Sequence, residues 1–214
     1  MSSSEQAPGV QWRAGAEAAL VFSLILLYIW WLRFRYPYSW ILILGLVAAS
    51  HVIRGETFGA LGFRRVSNGV ASVAPAVGLI SVVLLAIGLV FHTIREVSWQ
   101  LAVSSIALYC FWGLFQQYVL NGYFVNRFAE FLPRRPQAVA ALAGVCFSLA
   151  HAPNWFLMAI ALPGGYLCAK IYLKYRNLYV LGLAHGIIGF MIYLVAPDSI
   201  SHHLYVGPKW FSMR

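Results

Sequence analysis

Residues 97–126 read VSWQLAVSSIALYCFWGLFQQYVLNGYFVN, thirty positions without a Lys, Arg, Asp or Glu. A helix that crosses the hydrocarbon of a bilayer needs roughly 20 mostly apolar residues, and this run exceeds that length. Near its end it carries Gln116, Gln117 and Asn121, side chains that are costly in lipid unless they meet partners. The run points to a membrane helix bundle and raises the question of what its amides face.

The composition agrees. Of 214 residues, 61% are hydrophobic and 10% charged, against about 25% charged in ordinary soluble domains. Other charge-free runs span 18–32, 36–53, 66–94, 136–169 and 177–197. The long run 136–169 is interrupted by His151-Ala-Pro153-Asn154. Pro153 disfavours a helical Ala152, so two crossings are expected there, 137–152 and 155–175. The expectation is an all-α, polytopic integral membrane bundle of about seven transmembrane helices, with six as the alternative.

Four regions follow along the chain: a disordered polar lead over 1–14, two peripheral transmembrane helices over 15–54, core helices over 55–197, and a C-terminal tail over 198–214. The first apolar run lacks a small-residue cleavage site and is kept as a helix. Gly55–Arg65 and Asn126–Arg135 are expected to lie along the membrane interface. Pro163-Gly164-Gly165 is expected to kink or break the sixth helix.

The formal charge of +9 is distributed as in a multi-pass membrane protein rather than a nucleic-acid binder. With seven crossings, ten of the fifteen Lys and Arg fall on the side of the N-terminus, Arg54 and Arg127 among them. That asymmetry places the N-terminus in the cytoplasm, with the basic residues as anchors at lipid headgroups. Cys110, Cys146 and Cys168 lie singly in apolar runs, which indicates neither a disulfide framework nor a thiolate metal site.

Gln117 and Asn121, four apart, share a helix face, and Gln116 points about 100° away. Interhelical hydrogen bonding alone would account for them. His151 and His185, both inside apolar segments, add two ionisable groups and turn the amides into a candidate site. Such a cluster could polarise a carbonyl, bind a polar ligand or hold a divalent metal on His151 and His185. Two histidines without a carboxylate or thiolate make a thin metal site.

These residues resemble the motifs of the CPBP intramembrane proteases, the group that includes the type II CAAX prenyl endopeptidases. That family carries EExxxR, FxxxH and HxxxN on three successive core helices. This chain has Gln116-Gln117-Tyr-Val-Leu-Asn121, Phe147-Ser-Leu-Ala-His151 and His185-Gly-Ile-Ile-Gly189 in the same order and spacing. The resemblance covers residues 55–195 and implies an intramembrane endopeptidase acting on lipidated or transmembrane peptides. In the family the first glutamate, with the histidines, activates water, and the asparagine of the third motif stabilises the oxyanion. Here Gln116 and Gln117 stand at the glutamate positions, Asn121 at the arginine and Gly189 at the oxyanion residue. An amide is no general base, so the usual glutamate mechanism loses its base. Two readings stay open. One is a divergent endopeptidase in which His151 or His185 is the base and Gln116, Gln117, Asn121 or Asn154 serves substrate or oxyanion. The other is a non-catalytic protein that holds a lipidated or transmembrane peptide among membrane lipids.

Overall fold

A computed structural model describes residues 8–65, 67 and 69–213, all-helical with no strand among them. Among the described residues, seven apolar helices form the bundle. The first, α1 (8–35), holds the candidate span Trp12–Arg35 and passes through a π-helical turn at Tyr28–Leu32. It is followed by α2 (Pro37–Ile53), α3 (Val70–Val90), α4 (Trp99–Phe131), α5 (Pro136–Leu149), α6 (Trp155–Tyr175) and α7 (Leu178–Val195). Five are long and apolar enough to cross a bilayer, and α2 and α5 are shorter apolar helices.

The disordered lead expected over 1–14 falls outside the described residues for 1–7, and residues 8–14 belong to α1. Tertiary packing overrides the polar local sequence there. Ala14 and Ala18 are buried, and the Trp12 ring packs on Phe131 at 5.6 Å. Helix starts elsewhere carry side-chain caps, which satisfy amide donors left free in a first turn. Ser98 accepts from Leu101 N, Asn154 from Leu157 N and Asn177 from Val180 N.

Two helix pairs position the centre of the bundle, α4 with α7 and α5 with α6. Both are brought close by glycine, the usual means of helix approach in membranes. A Cβ at Gly182 would sit 2.7 Å from Leu114 Cα, and one at Gly186 would overlap the Cys110 backbone. A Cβ at Gly165 would lie 3.0 Å from Gly144 Cα. Gly165 therefore serves packing, and α6 runs unbroken through Pro163-Gly164-Gly165 instead of breaking there.

Both stretches expected at the interface also make contacts inward, while Phe58, Arg64 and Arg65 stay exposed. Leu61 is buried, Leu178 N donates to Gly62 O at 2.8 Å, and Arg176 donates to Ala60 O at 3.1 Å. Helix α4 continues to Phe131, with Asn126, Arg127 and Phe128 buried. The reason in both cases is a set of polar partners that lie far away in sequence.

Helix α5 has 14 residues, so it spans about 21 Å at 1.5 Å per residue. Its end is covered by the C-terminal segment. Gly207 N donates to Ala152 O at 2.8 Å, and Arg33 Nη2 donates to Val206 O at 2.9 Å. On the same side Arg95 binds Asp198 through both terminal nitrogens, at 2.9 and 2.5 Å.

Candidate functional site

Helix α4 changes character where the amides lie. Regular α-helix ends at Gln117 and an eight-residue π-helical stretch, Tyr118–Val125, follows. Such segments are rare and concentrate at functional sites. Gln117 and Asn121 are fully buried. Asn121 Nδ2 donates to Gln117 Oε1 at 2.6 Å, and Gln117 Nε2 lies 2.9 Å from His185 Nδ1 on α7. The close approach of α4 and α7 at Gly182 and Gly186 makes that bond possible.

His151 arrives from a fourth direction. It lies in the turn after α5, and its Nδ1 donates to Phe147 O at 2.7 Å. The Phe147 ring packs edge-on against His151 at 4.8 Å and against His185 at 5.7 Å. The two imidazoles thus share one aromatic neighbour. Phe147 bridges the offset between a histidine just after α5 and another within α7.

The remaining candidates are placed differently. Gln116 is half-buried and, among the described residues, makes no side-chain hydrogen bond. Asn154 is fully buried, but its amide is engaged elsewhere. Its Nδ2 donates to Ser201 O at 2.9 Å and Tyr205 O at 3.1 Å, while its Oδ1 caps α6. An amide with both hydrogens and its oxygen so occupied has no donor left for an oxyanion, so the expectation for Asn154 is corrected to a structural one. Gly189 packs on Tyr109. Among the described residues, no group of three or more His, Cys, Asp or Glu side chains is arranged to hold a metal ion.

A second polar region was missed in the sequence. Arg127, near the end of α4, is fully buried and fully engaged. Its Nη2 pairs with Glu56 Oε2, its Nη1 donates to Glu130 Oε1 at 2.7 Å, and its Nε lies 3.3 Å from Glu17 Oε1. Arg54 reaches Glu17 at 2.8 Å and Glu130 at 3.2 Å. His51 Nδ1 lies 2.6 Å from Glu56 Oε2, and Ser50 and Tyr123 donate to Glu17. Burial alone would push the Glu56 carboxyl up, but the hydrogen bonds from Arg127 and His51 outweigh it and hold it below the usual carboxylate range.

Arg54 and Arg127 are therefore not headgroup anchors. They knit α1, α2, the turn after α2 at Glu56 and the end of α4 together. A signal was available, since three of the six acidic residues in the chain take part, and one of them, Glu17, directly precedes an apolar run. Counting basic residues by side does not detect such pairing.

Residues 98–191 match the family model described as type II CAAX prenyl endopeptidase Rce1-like. No curated protein and no solved structure matches the chain significantly. The matched span contains Gln116, Gln117, Asn121, Phe147, His151 and His185, the residues on which the sequence resemblance to CAAX-type proteases rested. Residues 98–191 are thus similar to the Rce1-like type II CAAX prenyl endopeptidases, and they lie within a helical protein whose described residues include five helices long and apolar enough to cross a membrane.

Proposed function

We propose that the protein is a divergent intramembrane endopeptidase for lipidated or transmembrane peptides in which a histidine, not a carboxylate, is the general base. The observation that carries this reading is the bond from His151 Nδ1 to Phe147 O. A carbonyl only accepts, so the His151 proton is on Nδ1 and its Nε2 keeps a lone pair. In hydrolysis that lone pair takes a proton from water while the water oxygen bonds to the scissile carbonyl carbon. The proton then passes to the leaving amine as the carbon–nitrogen bond breaks. His185 packs against the same Phe147 ring at 5.7 Å. Membrane lipids surround the bundle, and the N-terminus is cytoplasmic by the distribution of basic residues.

One observation favours non-catalytic peptide binding instead: Gln117, with no carboxylate, contacts the imidazole of His185. Purified protein in lipid nanodiscs, given a panel of farnesylated and transmembrane peptides, separates the two. The expected result is cleavage by the wild type that His151→Ala and His185→Ala abolish while peptide retention persists. Retention without cleavage selects the binding reading. Neither retention nor cleavage, or cleavage that survives both substitutions, overturns the site.

A further inference from the structure

We propose that Gln117 sets the position of the proton on His185, holding it on Nε2 so that this imidazole is a hydrogen-bond donor to the bound ligand. This deepens the reading above and rests on it only for what the ligand is. Gln117 acts through His185 and is therefore a positioning residue.

The hydrogen-bond chain has one consistent polarity. Gln117 Nε2 lies 2.9 Å from His185 Nδ1, and an amide nitrogen has two donors and nothing to accept with. Nδ1 must then accept, which leaves the proton of the neutral ring on Nε2. The amide is oriented by its neighbour, because its oxygen accepts from Asn121 Nδ2 at 2.6 Å. Turning both amides over would allow His185 Nδ1–H to donate to Gln117. It would also put the Asn121 NH2 where its Oδ1 now lies, buried and without a hydrogen-bond partner. A buried orphan donor is rarer than an under-satisfied oxygen, so the polarity stands as described.

His151 carries the opposite arrangement, with its proton on Nδ1 and a lone pair on Nε2. The two rings beside Phe147 thus offer one acceptor and one donor, neither of them charged. A ligand suited to that pair has an acceptor close to a donor, such as a peptide unit or a carbonyl beside a water. A carboxylate at position 117 would reverse the His185 ring. It can only accept, so it draws the proton to Nδ1 and leaves Nε2 as a second lone pair. Glutamine at 117 is therefore a change of function at His185, from acceptor to donor, and not a mere loss of charge.

The test is the nitrogen NMR spectrum of ring-15N histidine-labelled protein in nanodiscs, with resonances assigned by His151→Asn and His185→Asn. In the wild type, Nε2 of His185 should be protonated and Nδ1 bare, with the reverse at His151. In Gln117→Glu the protonated and bare signals of His185 should exchange, or both nitrogens should become protonated, while His151 keeps its pattern. Asn121→Leu, which frees the glutamine to rotate, should give a mixture at His185 and guards against a misfolded glutamate variant. A protonated Nδ1 on His185 in the wild type, or a His185 pattern unmoved by both substitutions, overturns the proposal. Peptide cleavage plays no part in this readout, so failure of the enzymatic reading leaves it intact.

Discussion

Two polar regions are buried in this bundle, and they satisfy burial in opposite ways. Around Arg127, three carboxylates, two guanidiniums and an imidazole compensate one another. Around Gln117, two amides and an imidazole form a chain without formal charge. Position explains the difference. Glu17, Arg54 and Glu130 keep 24–29% of their side chains exposed at the end of the bundle where α1 begins, so the ionic cluster retains contact with water. Gln117 and Asn121 are fully buried between α4, α6 and α7. A charge removed from water costs several kcal/mol unless its partners are well placed, and Asn121 is no counter-ion. The chain keeps charge where it meets water and many partners, and uses amides where it has neither.

That contrast predicts unequal responses to mutation. The largest effect should come from Arg127→Met. It leaves Glu56 and its neighbours without their central partner and should cost about 3–5 kcal/mol, as removal of one member of a buried ion pair does. Unfolding by denaturant in detergent measures it, and a loss below about 1 kcal/mol would reduce the cluster to ordinary surface pairing.

Gln117→Ala should cost less, about 1–3 kcal/mol, since it strands neutral hydrogen-bonding groups rather than charges. A larger loss than that of Arg127→Met would invert the comparison.

Asn154→Ala should cost about 1–2 kcal/mol through the lost helix cap and should free the C-terminal segment. Limited proteolysis ought then to remove residues after Ser201 faster than in the wild type, while the bundle stays intact. Equal digestion rates would show that Gly207, Arg33 and Arg95 hold the segment without it.

The smallest effect concerns pH. Glu56 has a folded value depressed below 4.5, so its stabilising contribution is complete above about 4.5 and is lost as pH falls through the depressed folded value. The unfolding temperature should decline in that acid range, and Glu56→Gln should flatten the decline. The neutral Gln117 chain predicts no change in this slope for Gln117→Ala, which sharpens the contrast between the two regions.

Much of the fold was legible in the sequence because hydrocarbon imposes a simple demand. Charge-free runs of sufficient length became helices, and the break at His151-Ala-Pro153-Asn154 separated α5 from α6. Local rules failed where distant partners decided. Pro163-Gly164-Gly165 reads as a kink or a break by composition, yet α6 continues through it and Gly165 packs against Gly144. Gly55–Arg65 reads as interfacial, yet Glu56 also pairs with an arginine 71 positions away. The candidate site was readable as a set of residue types and spacings, and Asn154 shows the limit of such a reading. Its side chain suits an oxyanion, and only its contacts with Ser201 and Tyr205 reveal that it is taken.

The sequence alone determined that this chain is a helical membrane protein and that its long charge-free runs carry amides and histidines. Composition and spacing suffice for that, because burial in lipid depends on each segment separately. Tertiary structure decided which amide meets which histidine, which asparagine is spent on the tail, and where the charges gather. Those outcomes depend on the approach of α4 to α7 and of α2 to α4. Hydrogen bonds and ion pairs act over a few ångströms in space, whatever their separation along the chain.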